Sequence, residues 1–141
     1  MNRVELDHDR LVASRIADYR GRTIRTTGDG VFATFDGPAR AIHCALAVIE
    51  AAQRLNLEVR AGLHTGECEL AGDDLAGVTV HIGARIADLA EPSQVLVSGT
   101  VRDLVVGSNI EFAYRGEEPL QGVPGAWRVF RVMNGPGPGS L

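Results

Sequence analysis

Lysine is absent from the 141-residue sequence, and all 14 of its basic residues are arginine. Those arginines are scattered along the chain and the net charge is −4, which excludes the clustered basic groove that a nucleic acid requires. Any phosphate group must then be held locally, by a few side chains. Long apolar runs are also missing, and none approaches the ~18 residues of a membrane span. The opening stretch MNRVELDHDR carries both signs of charge, so it is neither a secretory h-region nor an acid-poor transit peptide. A cytoplasmic location with no membrane segment is expected. Cysteine is scarce: Cys44 and Cys68 stand far apart, without a CxxC or a histidine at ligand spacing, which argues against zinc and for buried thiols. What is present is an ordinary apolar fraction of 45%, enough for one domain with a real core.

Along the chain, Val12, Ile16 and Tyr19 recur at helical spacing within 4–19, ahead of Gly21. TIRTTGDGVFATF follows, two β-rich runs around Gly28, Asp29 and Gly30, and reads as a hairpin with Asp29 at its tip. Asp36, Gly37 and Pro38 open a helix with an apolar stripe at Ile42, Ala45, Leu46, Ile49 and Ala52, running to about Leu55. LEVRAGLH and ECEL are expected to form a second antiparallel pair around Thr65 and Gly66, with AGDDLAG irregular after it. A helix over 79–90, ended before Pro92, precedes a buried strand VLVS, a helical turn TVRDLVVG, and strands IEFAYR and WRVFRV joined by the turn-rich GEEPLQGVPGA. The order predicts an α+β domain over 1–133, with helices packed on a mixed sheet. NGPGPGSL, 134–141, reads as a flexible tail.

Taken alone, Gly-Asp-Gly is good turn chemistry and no more. In order along the chain, however, IRTTGDGVFATF, HTGE, DLAGVTVHIGAR, VLVS and LQGVPGAWRVFRV resemble the class III adenylyl and guanylyl cyclase catalytic domain over roughly 15–132. The resemblance implies a ferredoxin-like sheet and a head-to-tail dimer with active sites at the interface. One protomer supplies two aspartates that hold two Mg²⁺ or Mn²⁺ ions; the other supplies residues that read the base and stabilise phosphate. The implied reaction converts ATP to cyclic AMP and pyrophosphate, by attack of the ribose 3′-hydroxyl on the α-phosphate.

Carried onto this sequence, the resemblance makes Asp29 the second metal aspartate. Arg25 stands in the place of a base-reading lysine, and Asp74 in that of its acidic partner. A carboxylate accepts from the exocyclic amine of adenine while a guanidinium donates to a ring nitrogen, so the pair leans towards ATP. The bland alternatives are an exposed strand arginine and a loop acid beside Asp73. His81 and Arg85 share a helical face; Arg85 matches the arginine that stabilises transition-state phosphate, or else it only pairs with Asp88. His81 departs from the usual asparagine, and Gln121 stands where relatives commonly carry a phosphate-binding lysine.

The family's first metal aspartate lies in an FxDIxGS-type strand, and Asp7, Asp9 and Asp18 do not carry that pattern. The two-metal site is therefore expected to be incomplete, and cyclisation weak or absent in this chain. The alternative reading is a catalytically silent nucleotide-binding or dimerisation module. In the family that strand lies between the counterparts of GVFATF and VRAGLH, so the sheet is expected to close directly, to exchange a segment or to borrow a strand. A homodimer or higher oligomer is expected.

Overall fold

The computed structural model describes residues 3–26, 30–66, 69–71, 74–76 and 78–133; side chains of 3–8, 25, 69–71, 74–76 and 78 are outside the description. Asp29, Cys68 and the proposed tail therefore lie beyond the described residues. Helix α1 (Arg3–Asp18) leads into strands β1 (Arg22–Thr26) and β2 (Val31–Thr34), which pair antiparallel as the hairpin signal predicts. Helix α2 (Pro38–Arg54) follows, then β3 (Ala61–Leu63), β4 (Glu69–Ala71) and β5 (Asp74–Ala76). The rest comprises helix α3 (Val78–Leu89), β6 (Val95–Ser98), the short helix α4 (Gly99–Leu104), β7 (Phe112–Leu120) and β8 (Val123–Val132).

The helix ends follow local chemistry. Gly37 is extended and Pro38 occupies the first turn of α2, where its missing N–H costs nothing. At the other end Asn56 adopts φ 57°, and Leu57 N–H reaches back to Ala52 O at 2.9 Å, closing the helix as a left-handed cap does. In α1 the left-handed residue is Arg20 (φ 61°), one before the glycine that the sequence marks as the stop. Gly21 is needed for another reason: a Cβ there would stand 2.7 Å from Cζ of the Phe35 ring.

The main sheet has four strands in the order β3-β6-β8-β7, with β3 parallel to β6 and the other pairs antiparallel. β6 is its spine. Val95 and Val97 pack with Ile42 and Ile49 of α2 on one face, while Leu96 meets Ile82 and Ile86 of α3 on the other. A strand buried on both faces reads as a continuous apolar run, which is why VLVS shows no alternation.

Two expectations are corrected. VRAGLH does not pair with ECEL: β3 lies parallel to β6, and β4 pairs antiparallel with β5, so the segment expected to be irregular contains a strand. Parallel neighbours need a helical crossover, and α3 supplies it between β3 and β6. Nor is GEEPLQGVPGA a long turn, since β7 and β8 stay paired from Phe112↔Val132 to Leu120↔Val123, with only Gln121 and Gly122 between the strands. The ladder absorbs Gly116, at φ 134°, where its register shifts. β6 pairs with β8 only at 129–131. Beyond that the hairpin is an arm with outer edges, where proline is tolerated.

Among the described residues no strand joins β2 to β3. The sheet has not closed directly there, and a cavity of about 790 Å³ lies between them.

Candidate active site

Helix α3 organises the site because its two faces do different work. Ile82 and Ile86 are fully buried against the sheet, which leaves His81 and Arg85, one turn apart, together on another face. The β7–β8 arm lies across that helix. His81 Nε2 is 2.9 Å from the Gln121 carbonyl oxygen, and a carbonyl only accepts, so Nε2 carries the proton. Gly122 lets this approach happen: at φ 80°, a Cβ there would sit 3.0 Å from His81 Nε2. Further along, Arg115 donates to Leu89 O at 2.7 Å, satisfying a carbonyl at the helix end. The arm is thus fastened to both ends of α3, and its turn brings Gln121 beside His81.

Arg85 donates from one terminal nitrogen to Asp88 Oδ2 at 2.9 Å, the pairing that the bland reading foresaw. That pair is partly exposed, 37% and 63% by side chain, and such pairs add little stability. The other end of the group is less ordinary, because Arg85 Nε is buried and meets no hydrogen-bond acceptor among the described residues. A buried donor without an acceptor is costly.

Arg25 lies in β1, paired in register with Phe32, and Asp74 opens β5 opposite Ala71. β1 and β5 are in contact, so the two strands carrying the proposed base-reading residues are neighbours; their side chains are outside the description. The structure therefore brings Gln121 against His81, sets Arg85 one turn further along the same helix, and places the strands that carry Arg25 and Asp74 in contact. Among the described residues no group of three or more His, Cys, Asp or Glu side chains could hold a metal ion.

Sequence reasoning passed over His64. The β3–β6 register sets Leu63 opposite Val97, so the next residues, His64 and Ser98, meet at 2.7 Å, Nδ1 to Oγ. Ser98 is completely buried and also accepts from Val101 N–H at 3.3 Å, capping α4. The edge of the His64 ring rests against Trp127, centroids 5.6 Å apart. The parallel pairing was the signal, and it was not visible while VRAGLH was matched to ECEL.

Burial lowers the pKa of His64 from its ordinary value of 6.5. The unfolded chain therefore binds this proton near pH 6.5, whereas the folded chain binds it only at lower pH. The resulting stability is present above 6.5 and is lost as pH falls through the lowered value, with a slope of up to about 1.4 kcal/mol per pH unit. Thermal melts from pH 7.5 to 5.5 should show this decline, and His64→Asn, which keeps a hydrogen-bonding group without titrating, should flatten it. An unchanged slope would assign the effect to other groups.

A mixed sheet covered by helices on both faces, with an arginine helix face under a hairpin arm, defines a nucleotide-cyclase type of domain. The family model for the adenylate and guanylate cyclase catalytic domain matches residues 6–134, and the chain belongs to that family. It is 30% identical over 114 residues to a putative adenylate cyclase of Rhizobium meliloti, covering 74% of this chain and 19% of that protein. It is 36% identical over 127 residues to an uncharacterised protein of Mycobacterium tuberculosis, covering 84% of this chain and 42% of the relative. The chain thus spans less than half the length of these relatives. Among solved structures, an adenylate/guanylate cyclase/hydrolase from Silicibacter pomeroyi superposes with TM-score 0.85 at 28% identity, over 94% of this chain and 83% of that one. The adenylyl cyclase CyaB from P. aeruginosa shares the fold at TM-score 0.81 and 18% identity, over 91% and 79%.

Proposed function

We infer that this domain binds ATP and is built for its cyclisation to cyclic AMP, with turnover weak in the chain as it stands. The observation that carries the reading is α3, which sets Arg85 one helical turn from His81, the residue that meets the hairpin turn at the Gln121 carbonyl. In the reaction a bond forms between the ribose 3′-oxygen and the α-phosphorus, and the bond to the β-phosphate oxygen breaks. The 3′-hydroxyl loses its proton and pyrophosphate leaves. Arg85 would offset charge on the phosphate oxygens with a fixed donor fork. Gln121 would donate to phosphate without adding charge. Arg25 and Asp74 would meet the adenine edge, the guanidinium donating to a ring nitrogen and the carboxylate accepting from the amine.

Domains of this family bind nucleotide, often dimerise and generally use Mg²⁺ or Mn²⁺. The donor set of this chain does not fit a two-ion site by itself, since Asp29 is the one carboxylate that matches the family's metal position, and hard divalent ions require several oxygen ligands each. No catalytic step is therefore assigned to an ion. A homodimer or higher oligomer follows from the same reading, because Asp29 and Arg85 would serve different active sites across an interface. The uncharged Gln121 and the single matching carboxylate favour a second reading, a nucleotide-binding or dimerisation module without turnover.

Asp74→Ala should weaken ATP binding by about tenfold or more, the value of a charge-assisted contact of roughly 1.5–3 kcal/mol. Asp88→Ala should leave it within about twofold, because Asp88 is proposed to meet only Arg85. Calorimetric titration with ATP distinguishes them, and equal effects would reduce Asp74 to a loop acid.

A further inference from the structure

The β7–β8 arm has little sheet to hold it in place. β6 pairs with β8 only at 129–131, so beyond Arg128, which bonds Asp103 of α4 at 2.7 Å, the position of the arm depends on what it meets on α3. Leu120, Val123 and Trp127 pack there with Ile82, Ile86 and Leu89. That contact is apolar and non-directional, and by itself it would let the arm slide or pivot on the helix. Hydrogen bonds are directional, and the arm makes one near each end of α3. Arg115 Nη1 donates to Leu89 O at 2.7 Å, and His81 Nε2 donates to Gln121 O at 2.9 Å. From His81 to Leu89 the helix rises about 12 Å, so the two bonds together fix translation and rotation. α3 carries no basic residue in its own last turn, and Arg115 supplies from the arm the cation that a helix C-terminus favours.

We propose that His81 and Arg115 are positioning residues: they clamp the arm to α3, and His81 acts on the arm and not on the nucleotide. Reach separates the two roles. Histidine Nε2 lies one bond further from the backbone than the amide nitrogen of asparagine, the residue that relatives usually carry at this place. An asparagine at 81 would stop short of the Gln121 carbonyl, whereas glutamine, whose amide nitrogen is as many bonds out as Nε2, would span the gap. Gly122 completes the fit, since at φ 80° a Cβ there would stand 3.0 Å from Nε2. The imidazole thus spends its furthest-reaching nitrogen on the turn. The bonded oxygen belongs to the main chain, so the clamp does not consume the Gln121 side-chain amide, which is left to donate to phosphate. The ligand in this role rests on the nucleotide reading; the clamp itself does not.

Hydrogen exchange on the full chain without nucleotide tests the clamp. His81→Asn should speed exchange at least tenfold at the arm amides from Glu117 to Arg128 and leave those of β6 unchanged. His81→Gln should restore the arm to within about threefold of the parent. Arg115→Ala should speed the same amides at least threefold. Ring-nitrogen NMR of histidine-labelled chain at about pH 8 should find the His81 proton on Nε2, its signal identified by its loss in His81→Gln; a proton on Nδ1 alone would overturn the proposal. Calorimetry then adds ATP. His81→Asn should weaken its binding about threefold, the value of one neutral hydrogen bond. Gln121→Ala, which keeps the carbonyl, should cost about threefold in the parent and nothing more beside His81→Asn, because a loosened turn has already lost that contact. If His81 touches the nucleotide instead, asparagine binds ATP as well as the parent, glutamine does not, and the two losses add; that pattern overturns the proposal. So does arm exchange that His81→Asn leaves at the parent rate. A parent chain that binds no ATP refutes the nucleotide reading alone, since exchange still decides the clamp.

Discussion

Purified chain supplied with ATP and Mn²⁺ is expected to form cyclic AMP no faster than about 0.1 per second, at least tenfold below an ordinary enzyme rate of about 1 per second. Electrostatics carry the argument. Two-ion cyclisation depends on neutralising charge that builds on phosphate oxygens, and on lowering the pKa of the attacking hydroxyl. One matching carboxylate, Asp29, is a poor holder for two ions, and each 1.36 kcal/mol of lost transition-state stabilisation is about tenfold in rate. Gln121 removes a further positive charge from the phosphate side. Among the described residues no ladder joins the β1–β2 hairpin to the four-stranded sheet. A chromatographic assay for cyclic AMP decides the matter, and turnover near 1 per second would show that the carboxylate count misjudges the site. ATP binding by the same preparation without turnover would favour the silent module.

The second large effect is structural. Gly62→Ala should destabilise the domain by about 3 kcal/mol, the upper end for overpacking, because a clash with main chain cannot be relieved by a rotamer change. A Cβ at Gly62 would collide with Ala87 N and would stand 2.6 Å from Ala87 Cα and 2.7 Å from Gly83 O, all main-chain atoms. α3 would have to lift from β3, and with it the face that carries His81 and Arg85. Gly83→Ala is the matched control. Its Cβ would meet nothing nearer than His64 N at 4.0 Å, and alanine in a helix interior gains up to about 1 kcal/mol over glycine. Urea denaturation of the two variants should therefore move in opposite directions. Similar losses in both would mean that the helix-to-strand contact is looser than the geometry indicates.

Much of the domain was legible because it is written in local chemistry. The stripe on α2, the glycines around Asp29 and the unbroken VLVS run each imply one element, and each element formed as read. The resemblance to cyclase domains rested on five short motifs in order, and the family match bears it out. What failed was pairing. HTGE next to ECEL looks like a turn between strands, but hydrogen-bond partners depend on where α3 returns the chain, which local sequence does not encode. The same blindness hid the His64–Ser98 contact, whose residues are 34 positions apart. In the β7–β8 arm, glycine and proline signalled turns that the structure spends on bulges and outer edges.

The sequence by itself determined the helices and most strands, because periodicity and turn preference act over a few neighbours, while the class of the domain and the candidate site residues came from the resemblance carried by five ordered motifs. Tertiary structure alone decided that β3 runs parallel to β6, that the β7–β8 turn rests on His81, and that the buried Arg85 Nε meets no acceptor among the described residues. It also decided that β2 and β3 stand apart around an apolar slot. Those outcomes depend on how helices pack on both faces of a sheet, where a single close approach, Gly62 against Ala87, fixes the position of a whole helix and the side chains it carries.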